Sequence, residues 1–335
     1  MSLNTLGATD ASILGLEDIN ASTAAAGVIV DLNGQAESFM IIGSDHNDNF
    51  TGGSGDDTIN AGAGDDILVG GAGDDTLRGQ DGNDDIDAGD GDDVVFGAAG
   101  EDVINGGAGD DTISGNTNDD IITGGAGVDI IDGGGDNDTI NLANGDFEVG
   151  ESIDGNVGTD GLVLTDATTV DFTTGTLAGL ETLTGSAGDD DVIYSIEQAL
   201  DFDDIDLGGG VDNTRVNIFG TLDVTGLGTP AVNLATTENG FLTGSTGDDD
   251  LTITGAQLDA LIFGGGIIDF GSGDDVLNLT STSTNLNSLG ATDTLIEGLE
   301  TIDASTIAAG ITLNLNGQTE DFIICLLYTS DAADE

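Results

Sequence analysis

Between Gly43 and Asn141 an aspartate recurs at every ninth residue: Asp48, Asp57, Asp66, Asp75, Asp84, Asp93, Asp102, Asp111, Asp120, Asp129 and Asp138. Each closes a glycine-rich stretch, as in GGSGDDTIN, AGAGDDILV and GGAGDDTLR, and the eleven units run in unbroken register. Carboxylates delivered at fixed intervals by glycine-rich turns suit a hard cation. Calcium takes about six to eight oxygen ligands, and aspartate side chains and backbone carbonyls supply them. The fourth position is Gly in eight of the eleven units, and the exceptions, His46, Asn118 and Asp136, are types that tolerate positive φ. A left-handed backbone is therefore expected there, turning carbonyl oxygens toward a common point. The candidate ligands are the eleven aspartates with the turn carbonyls of Gly53, Gly55, Gly62, Gly64, Gly71, Gly73, Gly89, Gly91, Gly107 and Gly109. The fifth-position acids, such as Asp56, Asp65 and Asp74, are expected to be solvated rather than direct ligands.

Short strands have to hold such turns in place. The eighth positions are Phe50, Ile59, Leu68, Leu77, Ile86, Val95, Ile104, Ile113, Ile122, Ile131 and Ile140, mostly β-branched, as expected of a buried position in a short extended segment. Ninth positions such as Asn60, Arg78, Asp87 and Asn105 are mostly polar and should face water. Written G-G-x-G-x-D-x-U-x, with U a large aliphatic, the unit divides into a six-residue turn and a three-residue strand.

Over its 99 residues the array resembles the hemolysin-type, or repeats-in-toxin (RTX), calcium-binding nonapeptide. The resemblance implies an all-β fold, a right-handed parallel β-roll or β-solenoid in which two nonapeptides make one turn and calcium sits between stacked turns on each side. One side would stack Asp48, Asp66, Asp84, Asp102, Asp120 and Asp138, the other Asp57, Asp75, Asp93, Asp111 and Asp129. Six stacked turns leave five gaps and five leave four, so residues 43–141 would offer up to about nine calcium sites.

Composition points the same way. The formal charge is −63, lysine is absent, and Arg78 and Arg215 are the fixed cations. Nucleic acid and anionic membrane surfaces are repelled by such a chain, and its expected partners are cations. Asp outnumbers Glu 53 to 12 and sits at fixed repeat positions, which a merely salt-adapted surface would not require. With no Trp, 4% aromatics and 57 Gly, a conventional packed core is not expected. The N-terminus has neither the basic start nor the apolar run of a secretory signal peptide, and no stretch reaches the roughly 18 apolar residues of a membrane span. One cysteine, Cys325, excludes an internal disulfide framework.

Residues 1–42 are expected to form a β-rich flanking module, and 142–324 an irregular β-solenoid of alternating stretches such as Leu162, Leu164, Val170 and Phe172, with helical turns near 196–200 and 256–261. Single units reappear as GSAGDDDVI, GSTGDDDLT and FGSGDDVLN, placing Asp190, Asp249 and Asp275 as further candidate ligands. Residues 6–41 and 289–324 align without a gap and match at 23 of 36 positions, marking an internal duplication and, as an expectation, a slice of a longer repetitive protein. The last eleven residues, 325–335, break every pattern and are encoded in full by the end of a transposase-type sequencing adapter; they are expected to carry no function.

Enzyme signatures are missing: a single histidine excludes a two-histidine zinc helix, and neither a nucleophile elbow, an EF-hand loop nor a lysine-bearing phosphate loop occurs. No catalytic residue is assigned. The expected function is calcium binding by a secreted β-roll that folds on the ion, a structural segment of a large extracellular, adhesin-like or surface-layer-like protein, exported by type I secretion as the resemblance implies. The alternative is the RTX portion of a secreted protease, lipase or cytolysin whose active domain lies elsewhere.

Overall fold

The computed structural model describes residues 17–195, 198, 202, 204–209, 213–217, 221–223, 239–243, 250–253, 267–270, 275–279, 296–297, 299, 301–304 and 323–326. Two compact units are present, Met1–Gly188 with Asp201–Asp204, and Asp189–Leu200 with Ile205–Glu335. The described residues are almost wholly β, and every strand pair is parallel, as expected for a β-solenoid.

In the first unit, odd and even nonapeptides feed two facing sheets. One runs through Asp18–Asn20, Met40–Ile42, Thr58–Ala63, Thr76–Asp81, Val94–Ala99, Thr112–Thr117, Ile130–Gly135, Ser152–Val157 and Thr176–Ala178. Its companion interleaves Ile29–Asp31, Asn49–Gly53, Ile67–Ala72 and the succeeding strands through Thr182–Thr184. Within the array each residue pairs with the one 18 positions on, Thr58 with Thr76 and Val103 with Ile121, so two nonapeptides make one coil. All eleven eighth-position side chains are buried, forming two apolar columns that meet between the sheets.

The strands are longer than the three residues expected. Thr58–Ala63 covers positions seven to nine of one unit and one to three of the next, and Gly62 and Ala63 pair with Gln80 and Asp81. The glycine-rich start of each turn is extended enough to join the ladder, so the turn proper is shorter than the motif suggests.

The left-handed backbone is also more widespread than expected. Besides the fourth position, with Asn118 at φ 78° and Asp136 at 76°, the second position is left-handed from the third unit onward. There Gln80, Ala98 and Asn116 stand at φ 86°, 91° and 77° where most units carry Gly. His46, Gly53 and Gly55, in the first two units, are not left-handed. In those units the second residue bonds locally to its own aspartate instead, Ser44 N–H to Asp48 Oδ2 at 2.6 Å and Gly53 N–H to Asp57 Oδ2 at 2.8 Å. An L-residue with Cβ in this region costs about 1–2 kcal/mol. Ala98→Gly is therefore expected to stabilise the roll by about 1 kcal/mol, read as a higher thermal midpoint at fixed calcium; an unchanged or lower midpoint contradicts the strain.

Past the array the coils lengthen. A nine-residue turn, 143–151, packs Phe147 edge-on against Phe172, ring centroids 4.9 Å apart. Val170 and Phe172 are buried as the alternation suggests, but Phe172 opens a 3-10 turn, Phe172–Thr174, capped by the Asp171 carboxylate on Thr173 N–H at 3.0 Å.

The second unit holds two parallel sheets, one of Asp191–Ser195, Asn213–Asn217, Asn239–Thr243, Ile267–Asp269 and Ile296–Glu297, the other of Thr221–Asp223, Asp250–Ile253, Val276–Leu279, Thr301–Ala304 and Ile323–Leu326. The duplication reappears as geometry. Asp18, Ile19 and Asn20 pair with Met40, Ile41 and Ile42, and their counterparts Thr301, Ile302 and Asp303 pair with Ile323, Ile324 and Cys325. The last strand continues to Leu326, two residues into the segment read as adapter-derived. Gln198 is helical, within the expected turn at 196–200; residues 256–261 lie outside the described residues.

Candidate metal centre

Every sixth-position aspartate is buried, none more than 3% exposed. The sequence predicts two columns, and hydrogen bonds string them together. In each case Oδ1 accepts the backbone N–H of the equivalent aspartate one coil earlier: Asp48 N–H to Asp66 at 2.7 Å, Asp66 to Asp84 at 2.8 Å, Asp84 to Asp102 at 2.8 Å, Asp102 to Asp120 at 2.8 Å and Asp120 to Asp138 at 2.9 Å. On the opposite side Asp57, Asp75, Asp93, Asp111 and Asp129 are joined in the same way.

The other carboxylate oxygen has no such partner. Oδ2 of Asp66, Asp75, Asp84, Asp93, Asp102, Asp111, Asp120, Asp129 and Asp138 is buried and accepts no hydrogen bond. A buried carboxylate oxygen without a partner is strongly disfavoured in isolation, so nine stacked ones call for a counter-charge. Where the turn begins with glycine, that oxygen sits against this first residue. A Cβ built on Gly106 would lie 2.5 Å from Asp111 Oδ2 and 2.5 Å from the carbonyl oxygen of Gly124, one coil on. Gly70 and Gly115 are flanked in the same manner, by Asp75 with Ala88 and by Asp120 with Gly133. Carboxylate and carbonyl oxygens thus converge between coils, and this oxygen-only donor set fits calcium. Among the described residues no three acidic, His or Cys side chains converge on one point, so carbonyls have to supply most of the ligands.

Of the turn glycines singled out from sequence, Gly62, Gly64, Gly71, Gly73, Gly89, Gly91, Gly107 and Gly109 are left-handed, with Gly71, Gly89 and Gly107 stacked in one column and Gly73, Gly91 and Gly109 in another, while Gly53 and Gly55 are not left-handed. The first-position carbonyls were not anticipated, although a first residue that is Gly or Ala in all eleven units is the signal that would have found them. Fifth-position acids are exposed, as expected, yet they form an outer ladder of opposite sense. Asp56 Oδ1 accepts Asp74 N–H from the following coil at 3.1 Å, and Asp65 accepts from Asn83 at 3.1 Å.

The columns outrun the array. Asp160 Oδ1 accepts Asp138 N–H at 2.7 Å, Glu151 Oε2 accepts Asp129 N–H at 3.1 Å, and Glu181 Oε2 accepts Asp160 N–H at 2.7 Å. Sequence reading missed all three acids, because coil length jumps from 18 to 22 residues. In the second unit Asp190 and Asp275 are buried, and Asp249 lies outside the described residues.

Burial pushes these carboxyls up, against the opposing pull of the backbone N–H each accepts and, in most, helped by neighbouring carboxylates: to about 7 for Asp75, Asp84, Asp111 and Asp120, and about 6 for Asp66, Asp93, Asp102, Asp129 and Asp138. Glu151 rises to about 8, chiefly through burial. With folded values above the unfolded 3.8, the calcium-free roll holds more protons than the unfolded chain between about pH 4 and 7. Its stability therefore falls as pH rises through that window. Calcium-depleted protein is expected to show more β ellipticity at pH 5 than at pH 8; equal spectra would contradict it.

A sequence profile of the RTX calcium-binding nonapeptide repeat (4 copies) matches residues 42–77, 78–113 and 114–146 in succession. No curated protein matches the chain. That stretch is an array of RTX calcium-binding repeats arranged as a structural β-roll.

Proposed function

We propose that this RTX array is a calcium-built structural segment of a secreted protein, unfolded at low calcium and folded by the ion outside the cell. The nine buried, unpartnered Oδ2 atoms carry the reading, since a chain of charge −63 cannot hold them together without cations. The ligands would be the columns Asp66–Asp84–Asp102–Asp120–Asp138 and Asp75–Asp93–Asp111–Asp129, with first-position and left-handed turn carbonyls completing each shell. Asp48 and Asp57, whose Oδ2 atoms already accept backbone N–H groups, are the poorer end ligands.

The segment is read as non-enzymatic, and its repeated module as part of an extracellular adhesin-like or surface-layer-like protein. Among the described residues no helix is long and apolar enough to cross a membrane. The matching register of the two duplicated copies supports a tandem architecture. Low cytosolic calcium would leave the chain extended and competent for type I export, and millimolar calcium outside would fold it. Titrating calcium while following ellipticity and bound metal together is the test: several ions bound with a cooperative gain of β signal are expected, and no uptake would overturn the reading.

A further inference from the structure

The carboxylate column on the Asp138 side continues past the matched residues. Residues 155–163, GNVGTDGLV, place Gly155, Gly158, Asp160 and Leu162 at the first, fourth, sixth and eighth positions of a twelfth nonapeptide. The strand Gly161–Leu164 pairs in register with Thr139–Leu142, so this turn lies directly on 133–138 despite the longer intervening coil. We propose that the turns 133–138 and 155–160 enclose a further calcium site in which Asp160 is a ligand. This rests on the reading of the array as calcium-binding.

The carboxylate is placed as in the array, although Gly158, at the fourth position, is not left-handed. Asp160 is fully buried, its Oδ1 accepts Asp138 N–H at 2.7 Å, and its Oδ2 has no partner. In the gap itself, a Cβ built on Gly133 would lie 2.6 Å from Asp138 Oδ2, also without a partner, and 3.0 Å from the carbonyl oxygen of Gly155, one coil on. Asn156, at the second position, is left-handed at φ 65°. The column ends one step later. Strands Thr176–Ala178 and Thr182–Thr184 are joined by Gly179, Leu180 and Glu181 alone, too few residues to present a ring of carbonyls. Glu181 fills the end by accepting Asp160 N–H.

The opposite column ends differently. Glu151 arrives through the nine-residue turn 143–151, which has no first-position glycine beside the carboxylate and whose Asp146 is already bonded to Ala143 N–H at 2.8 Å. Glu151 is therefore a positioning residue that satisfies Asp129 N–H and holds no ion of its own.

Asp160→Asn, Gly155→Val and Glu151→Gln in the full chain separate these roles, with bound calcium counted by equilibrium dialysis and mass spectrometry and folding checked by ellipticity. Asp160→Asn is expected to bind one ion fewer than the parent. Gly155→Val, which displaces the first-position carbonyl on the Asp138 Oδ2 side and leaves the Asp160 carboxylate, should lose the same ion, while Glu151→Gln should keep the full complement. Parental stoichiometry in both Asp160→Asn and Gly155→Val would overturn the proposal, as would loss of an ion in Glu151→Gln equal to that in Asp160→Asn. A parent that takes up no calcium would sink the reading of the whole array, a result distinct from these.

Discussion

Stripped of calcium at pH 7.5, the chain is expected to lose most of its β ellipticity and to regain it in one cooperative step as calcium is restored. The apolar interior of the array is little more than two columns of single apolar side chains, Phe50 to Ile140, with alanines such as Ala61 and Ala88 also buried. Against that thin core stand nine buried Oδ2 atoms without hydrogen bonds and a net charge of −63. At tenfold excess over Kd each bound ion stabilises by RT ln 11, about 1.4 kcal/mol. Nine such ions would contribute on the order of 13 kcal/mol, comparable with the whole stability of an ordinary domain. Cooperativity is expected because an ion held between two coils would order half of the next site. Magnesium should not substitute, since it demands shorter, near-octahedral bonds and gives up its water reluctantly. A far-UV spectrum unchanged by chelator, or restored equally by magnesium, would show that the carboxylates are held by something else.

Asp102→Ala, in the middle of a column, should be the most damaging single change. The carboxylate does two things: Oδ1 accepts Asp84 N–H at 2.8 Å, and Oδ2 faces the gap between coils. Removing both leaves a buried N–H unsatisfied, about 1–3 kcal/mol, and deprives the adjoining ion sites of a ligand. The expected result is loss of one to two ions and a calcium midpoint raised about tenfold or more, a shift of roughly 1.4 kcal/mol or greater in coupling to folding. Asp102→Asn separates the two roles, because an amide oxygen can keep the bond to Asp84 N–H but carries no charge; it should lose calcium with a smaller fall in stability. Asp65→Ala, which removes only an exposed outer-ladder bond to Asn83 N–H, should change the midpoint by less than about twofold. Equal effects at Asp102 and Asp65 would mean that burial of the inner column is energetically irrelevant.

The periodic part of this fold is legible because one position carries one duty. A large apolar residue at the place of Ile113 and an aspartate at the place of Asp111 recur in every unit, so burial and the carboxylate columns follow from period alone. What escapes the period is what the backbone does between those positions. Gln80 and Ala98 give no hint of the left-handed conformation they adopt, which they share with their ladder partners Gly62 and Asn116 in the neighbouring coils. His46 was read as a left-handed substitute for glycine, but its turn lies at the irregular end, where Asp48 bonds to Ser44 and to Val28 N–H rather than to a preceding repeat. Asp160 was readable from its own nonapeptide and was hidden by the four-residue lengthening before it. Glu151 and Glu181 have no motif around them, and only coordinates place them at the column ends.

The two ladders also give each coil unlike faces. On the inner ladder a coil offers its aspartate N–H to the coil that follows and its carboxylate to the one before, so a cut between any two coils exposes bare donors on one side and bare acceptors on the other. In the intact chain those ends are closed, the acceptors of Asp48 and Asp57 by Val28 and Phe39 N–H, the donors of Asp129 and Asp138 by Glu151 and Asp160. Trimmed to its bare repeats the array becomes a building block with mating head and tail, and in calcium such fragments would join end to end into fibres. The flanking coils occupy the two ends through which the bare array would otherwise add to itself.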